Sequence, residues 1–149
     1  NLVNVVSETL NKTGLEPCCL ELEITESVLL EDIDIIRGTL SELSKMGVRI
    51  SIDDFGTKYS SLNYLKQLPI NRVKIDMSFV QGITINRKDE AIINAIIDLA
   101  RKLGIDILAE GVETFQQMEF LRNADCNVIQ GFYLYRPMEA DRVFELLLK

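Results

Sequence analysis

Stretches with the two-residue period of a β-strand recur along this chain, separated by stretches whose apolar residues fall three and four apart, the spacing of a helix. Residues 19–25 set Leu20, Leu22 and Ile24 against Glu21 and Glu23, and residues 48–53 set Val48, Ile50 and Ile52 against Arg49, Ser51 and Asp53. Residues 72–76 set Val73 and Ile75 against Arg72, Lys74 and Asp76. Residues 105–110 set Ile105, Ile107 and Ala109 against Asp106, Leu108 and Glu110, and a fifth strand is expected over residues 126–131. Strands alternating with helices imply a parallel sheet joined by right-handed crossovers. In an open doubly wound sheet both faces meet helices, so its strands read as nearly continuous apolar runs. Here four of the five strands keep a charged face. That pattern fits an α/β barrel, whose outer strand face meets helices while the inner face lines a wet mouth. Five strand units fall short of the eight in a (β/α)8 barrel of roughly 250 residues, so the expectation is an incomplete TIM-like barrel of about five βα units.

The helices have legible faces and ends. Leu2, Val6 and Leu10 mark one over residues 1–13, and Ile33, Ile36, Leu40 and Leu43 another over 31–46. A short helix is expected over 59–65 with Leu62 and Leu65 inward, and a long one over 88–103 with Ile92, Ile93, Ile96, Leu99 and Leu103 inward. Gly14, Gly47 and Gly104 stand where three of them stop. Thr114 and Gln117 form a capping-box pattern ahead of Phe115, Met118 and Leu121. A closing helix over 138–149 carries Val143, Phe144 and Leu147.

Composition narrows the chemistry. The 149 residues make one domain at most, and no apolar run reaches the ~20 residues of a membrane span. A net charge of −7 without a basic cluster argues against DNA binding, which neutralises phosphates with Lys and Arg. Cys18, Cys19 and Cys126 have no metal-ligand spacing; they suggest free thiols in a reducing, cytoplasmic setting, with Cys18 and Cys19 as core packing. There is no histidine at all. That excludes Ser-His-Asp and Cys-His nucleophiles and every His-ligated metal, so a catalytic metal has to be held by oxygen.

Glu23, Asp53, Lys74, Glu110 and Gln130 lie near the C-terminal ends of successive strands, which converge in a barrel. Asp54 can join Asp53 only if the strand bends, as Phe55 and Gly56 permit. Each like-charged pair at about 5 Å costs on the order of 3 kcal/mol at an effective dielectric of about 20. One lysine cannot offset Glu23, Asp53, Asp54 and Glu110 together, so either some are protonated or divalent cations sit among them. Two oxygen-held metals generate a nucleophile at neutral pH and clamp a phosphoryl group. Plainer readings compete: Asp53-Asp54 as solvated turn acids, Lys74 in an ion pair with Asp76, Glu21 facing water or a neighbouring Arg, and Glu113 as a helix N-terminal acid.

The segments LELEITES (20–27), DDFGTKYSSL (53–62), VKID (73–76), AEGVET (109–114) and QGFYLYRP (130–137) resemble the EAL family of bacterial cyclic-di-GMP phosphodiesterases, over essentially the whole chain. The resemblance implies a (β/α)8-type barrel and hydrolysis of cyclic-di-GMP to linear pGpG with Mg²⁺ or Mn²⁺. It makes Glu23 and Asp53 ligands of one metal, with Asp53 bridging to a second held by Asp54 and Glu110. Glu110 is also a general-base candidate, Lys74 matches the catalytic lysine, and Gln130 supports the second metal through water. Glu26 matches the anchor of a control loop containing Phe55, Gly56, Thr57, Lys58 and Ser60. Homodimerisation, an upstream sensor or cyclase domain, and any membrane tether lying upstream are implied for the parent protein. No membrane contact is expected of this segment itself.

Two departures stand out. The strands bearing the family's Glu-Ala-Leu signature and a metal-ligating asparagine are absent, so residues 1–149 read as the C-terminal part of one EAL domain, on its own impaired. Lys58 stands where the family pattern has a second glycine; if that site needs φ > 0, lysine costs on the order of 1 kcal/mol. These motivate an alternative: a degenerate module that binds cyclic-di-GMP or a protein partner without hydrolysis. A barrel lyase using one metal is a weaker third reading. Uncovered sheet edges and apolar surface are further expected to demand a longer chain or a dimer.

Overall fold

The computed structural model describes residues 1–28, 33–57 and 62–148, the side chains of residues 62–64 excepted. Four strands, β1 (Glu21–Thr25), β2 (Arg49–Phe55), β3 (Arg72–Ile75) and β4 (Asp106–Ala109), form one parallel sheet in the order β1-β2-β3-β4. Sequence order and spatial order coincide, as in a barrel wall, and helices fill each crossover. Helix α1 (Leu2–Thr13) precedes β1, α2 (Ile33–Lys45) joins β1 to β2, and α3 (Leu62–Gln67) joins β2 to β3. Two helices, α4 (Met77–Gln81) and α5 (Arg87–Leu103), lie between β3 and β4, and α6 (Phe115–Asn123) and α7 (Ala140–Leu147) follow. The fold is part of a TIM-like α/β barrel.

Strand parity separates two environments. Ile50, Ile52, Val73, Ile75 and Ala109 are each at most 1 % exposed and pack with the buried Leu40, Leu43, Ile93, Ile96, Ile97 and Ala100 of α2 and α5. The opposite face carries the charges. Glu21 accepts from Arg49 and Arg72, and Asp106 pairs with both arginines, so one neutral ion-pair network crosses all four strands at their N-terminal ends. The reading of Glu21 as the partner of a neighbouring arginine thus holds.

Caps behave as the sequence indicates. Asn1 caps α1 through its side chain, Gly14 and Gly104 end α1 and α5 in the left-handed region, and Thr114 and Gln117 make a complete capping box. Several expectations are corrected. The fifth strand reduces to one parallel bridge, Ala109 to Ile129, because the extended segment is confined between the left-handed Asp125 and a turn at Gly131 that packs against the Val112 backbone. Cys18 and Cys19 are exposed, not core: Pro17 starts a 3-10 turn over Pro17–Cys19, and β1 begins only at Glu21. In α5 the buried stripe is Ile93, Ile96, Ile97 and Ala100, which leaves Ile92 and Leu103 on its shoulders, 38 % and 40 % exposed. The apolar face of α7 is uncovered, with Phe144 64 % and Leu147 79 % exposed. Helix α4 has no hydrophobic period that sequence could reveal; its signal is Asp76, whose side chain caps it by accepting from the Ser78 N–H. The expected helix start at Tyr59 and the side chain of Leu62 lie outside the described residues.

Burial also separates the thiols, pushing Cys126 up to about 11. Alkylation of the native intact protein, mapped by mass spectrometry, is expected to modify Cys18 and Cys19 at least tenfold faster than Cys126, with denaturant removing the difference. Equal native rates would contradict this packing.

Candidate metal centre

The C-terminal ends of β1, β2, β3 and β4 bring Glu23, Asp53, Lys74 and Glu110 together. Lys74 is the hub. Its Nζ lies 2.8 Å from Glu23 Oε2, 3.1 Å from Asp53 Oδ1 and 2.7 Å from Glu110 Oε1, and its side chain is 6 % exposed. Burial works against a charged lysine here, but the surrounding carboxylates of Glu110, Glu23 and Asp53 outweigh it and raise the Lys74 pKa. The competing reading of a Lys74–Asp76 ion pair is not what forms, since Asp76 is turned to its capping role.

Asp54 reaches the same mouth through a defect in the sheet. Ile52 pairs with Val73 and Phe55 with Ile75, so β2 spends one extra residue there, a β-bulge. Asp54 takes φ 55, a left-handed conformation that aspartate tolerates better than most residues. Without the bulge, strict alternation would put Asp54 on the apolar face beside Ile50 and Ile52. With it, Phe55 is buried and Asp54 is exposed. Asp53, Asp54 and Glu110 then each offer a carboxylate oxygen, all within 4.8 Å of one another.

Asp54 also meets a residue that sequence reasoning missed. Its carboxyl group faces that of Asp76. Lost hydration, then the charges of Asp53 and Asp76, raise Asp54. Partial burial pushes Asp76 up as well, but the hydroxyl and backbone N–H of Ser78 prevail and lower it. The D-x-S cap pattern at Asp76 and Ser78 was the available signal.

A strap fixes the turn beyond the bulge. Glu26, 4 % exposed, donates its backbone N–H to the Asp53 carbonyl at 3.3 Å, and its Oε2 accepts from the Gly56 N–H at 3.2 Å. Gly56 has φ 93, and a Cβ there would press at 3.2 Å on both Ile96 and Phe79. Thr57 closes the turn by donating its hydroxyl to the Asp54 carbonyl at 2.8 Å. Lys58 and Ser60 lie outside the described residues. On the far side, Gln130 donates its backbone N–H to the Ala109 carbonyl, and its exposed side chain is one pairing away from Glu110.

The donor set fits a hard divalent cation: oxygen only, three carboxylates converging, and excess negative charge. A buried atom supports the fit. Asp53 Oδ1 has the charge of Lys74 beside it but no directed hydrogen bond among the described residues.

The protein-family model "EAL domain" matches residues 2–137. A Pseudomonas aeruginosa protein, "Bifunctional diguanylate cyclase/cyclic di-GMP phosphodiesterase MucR", is 50 % identical over 142 residues, 95 % of this chain and 21 % of its own length. The solved structure "PaMucR Phosphodiesterase, c-di-GMP complex" superposes with a TM-score of 0.92 at 50 % identity, over 95 % of this chain and 57 % of that one. "Klebsiella pneumoniae BlrP1 pH 6 manganese/cy-diGMP complex" gives 0.84 at 32 % identity, over 91 % and 34 %. The chain spans about a fifth of the length of the curated relatives it matches.

Removing the hub cation tests the electrostatics. Lys74→Met is expected to destabilise the metal-free intact protein by about 1–3 kcal/mol at pH 7, toward the lower end because Glu23 is half exposed. In the unmodified protein the raised Lys74 pKa stabilises fully below the unfolded lysine value of about 10.4 and is lost as pH rises through the folded value. Urea melts across pH that show no difference between the two proteins would contradict the hub role.

Proposed function

We propose, since the chain belongs to the EAL domain family, that it supplies the catalytic face of a phosphodiesterase that hydrolyses cyclic-di-GMP to linear pGpG. The observation that carries this reading is the convergence of Asp53, Asp54 and Glu110 around one point with Lys74 beside them. Mg²⁺ or Mn²⁺, two ions in a complete domain, is the cofactor proposed, with Glu23 and Asp53 as ligands of one ion and Asp53, Asp54 and Glu110 as ligands of the other. Gln130 would support the second through water. Bound there, the cations supply Lewis-acid polarisation of the phosphodiester.

The protein's own groups divide the remaining work. Lys74 keeps its charge, and its ammonium donates to a phosphodiester oxygen on which negative charge grows during attack. Glu110, touching Lys74 and within reach of Asp53 and Asp54, accepts the proton of the attacking water. The water oxygen bonds to phosphorus, the bond to the ribose 3′ oxygen breaks with its electron pair going to that oxygen, and the oxygen takes a proton from solvent water while Glu110 returns its own to solvent. Glu26 holds the turn at Gly56, and through it the carbonyl side of Asp53, in register with β1. In this reading Phe55, Gly56, Thr57, Lys58 and Ser60 form the control loop.

The chain is proposed to be the C-terminal part of one EAL domain in a longer, dimeric, cytoplasmic protein with an upstream sensor or cyclase domain. The exposed apolar surface of α7 supports such additional packing.

Turnover of cyclic-di-GMP by the intact protein with Mg²⁺ tests the reading. Asp53→Ala and Glu110→Ala are each expected to lower kcat/KM at least 100-fold, a range typical of a lost catalytic group. Activity that survives either change would refute the assignments. Ligand binding by calorimetry without any turnover would instead favour a binding module, and Lys58→Gly would then be the variant expected to restore hydrolysis.

A further inference from the structure

Beneath the candidate centre, between it and the ion-pair network at the other end of the strands, lies Ser51. It is completely buried, and its hydroxyl has no hydrogen-bond partner among the described residues. A fully buried hydroxyl left unpaired is costly, and most such groups in proteins are satisfied by protein or by ordered water. Ser51 is in register with Glu23 on β1 and with Arg72 on β3, so its side chain shares the inner face with theirs. Arg72 commits Nη1 to Glu21, while its buried Nε also lacks a hydrogen-bond partner among the described residues. Asp53, two residues beyond Ser51 on the same face, has the buried Oδ1 in an ion pair with Lys74 at 3.1 Å but without a directed hydrogen bond among the described residues.

The three buried side-chain atoms that lack a hydrogen bond among the described residues therefore belong to neighbouring positions of one face. Their chemistry is complementary: Arg72 Nε can only donate, Asp53 Oδ1 can only accept, and the Ser51 hydroxyl can do either. An anion would be repelled by Asp53 and a cation by Arg72. A water satisfies all three, accepting from Arg72, donating to Asp53, and using its remaining proton or lone pair for Ser51.

We propose that one internal water links Arg72 Nε, Ser51 Oγ and Asp53 Oδ1, and that Ser51 is thereby a positioning residue for Asp53. The water couples the neutral ion-pair network to the acid that the proposed function assigns as the bridging ligand, and holds that carboxylate in place before any cation arrives. Only this last consequence rests on the proposed function.

A metal-free crystal structure of the intact protein, at a resolution that places waters, is expected to show one water within hydrogen-bonding distance of the three atoms. Ser51→Ala is expected to weaken Mn²⁺ binding about tenfold, the low end for a group supporting a metal ligand, at nearly unchanged melting temperature. Electron paramagnetic resonance reads the affinity. Ile50→Val, equally buried on the opposite face, should leave it unchanged. No water at this position, or an unchanged Mn²⁺ affinity in Ser51→Ala, overturns the inference. If Ser51→Ala does not fold, the water in the unmodified protein decides. Failure of the unmodified protein to bind Mn²⁺ would defeat the metal reading instead, and the water would again decide this one.

Discussion

A parallel strand can serve a dry face and a wet face only while its side chains alternate, and this sheet obeys that rule everywhere except at one residue. The bulge in β2 inserts Asp54 between Asp53 and Phe55 in a left-handed conformation. Through it the strand delivers two consecutive carboxylates to the mouth and still buries the next aromatic ring. Glu26 and Gly56 lock the chain on the far side of the defect, and Asp53 and Glu110 meet Asp54 only because it is there. Bulges recur next to active sites because they re-aim a side chain without dismantling the ladder.

Electrostatics gives the same face its second tier of organisation. At the N-terminal ends of the strands, Arg49 and Arg72 balance Glu21 and Asp106, a network neutral in charge. Near the C-terminal ends, Lys74 is the one cation among the described residues that faces Glu23, Asp53 and Glu110, with Asp54 close by. One tier is neutral and the other is short of positive charge. That asymmetry is the physical basis for placing cations at one end of the sheet, and it follows from which acids and bases share strand parity.

Much of this was legible in the sequence because a two-residue period and a charged strand face survive any error in the ends of the elements. The convergence of Glu23, Asp53, Lys74 and Glu110 could be read from parity alone, and the bend at Asp53-Asp54 from the glycine after Phe55. Features made by the third dimension were not legible. Asp76 looks like a partner for Lys74 until α4, too short to show a period, claims its side chain as a cap. Cys18 and Cys19 read as core until Pro17 turns the chain before β1 begins. Residues 126–131 have a strand's composition, but pairing depends on how long the neighbouring backbones stay parallel, and only Ile129 meets that condition.

On the proposed function, the bulge in β2 completes a cation site. Anomalous diffraction from crystals of the intact protein equilibrated with Mn²⁺ tests it most directly. The account predicts a manganese peak bounded by Asp53, Asp54 and Glu110, with Asp54 still in its left-handed conformation. A peak elsewhere, or none at millimolar Mn²⁺ with the three carboxylates in place, would contradict it.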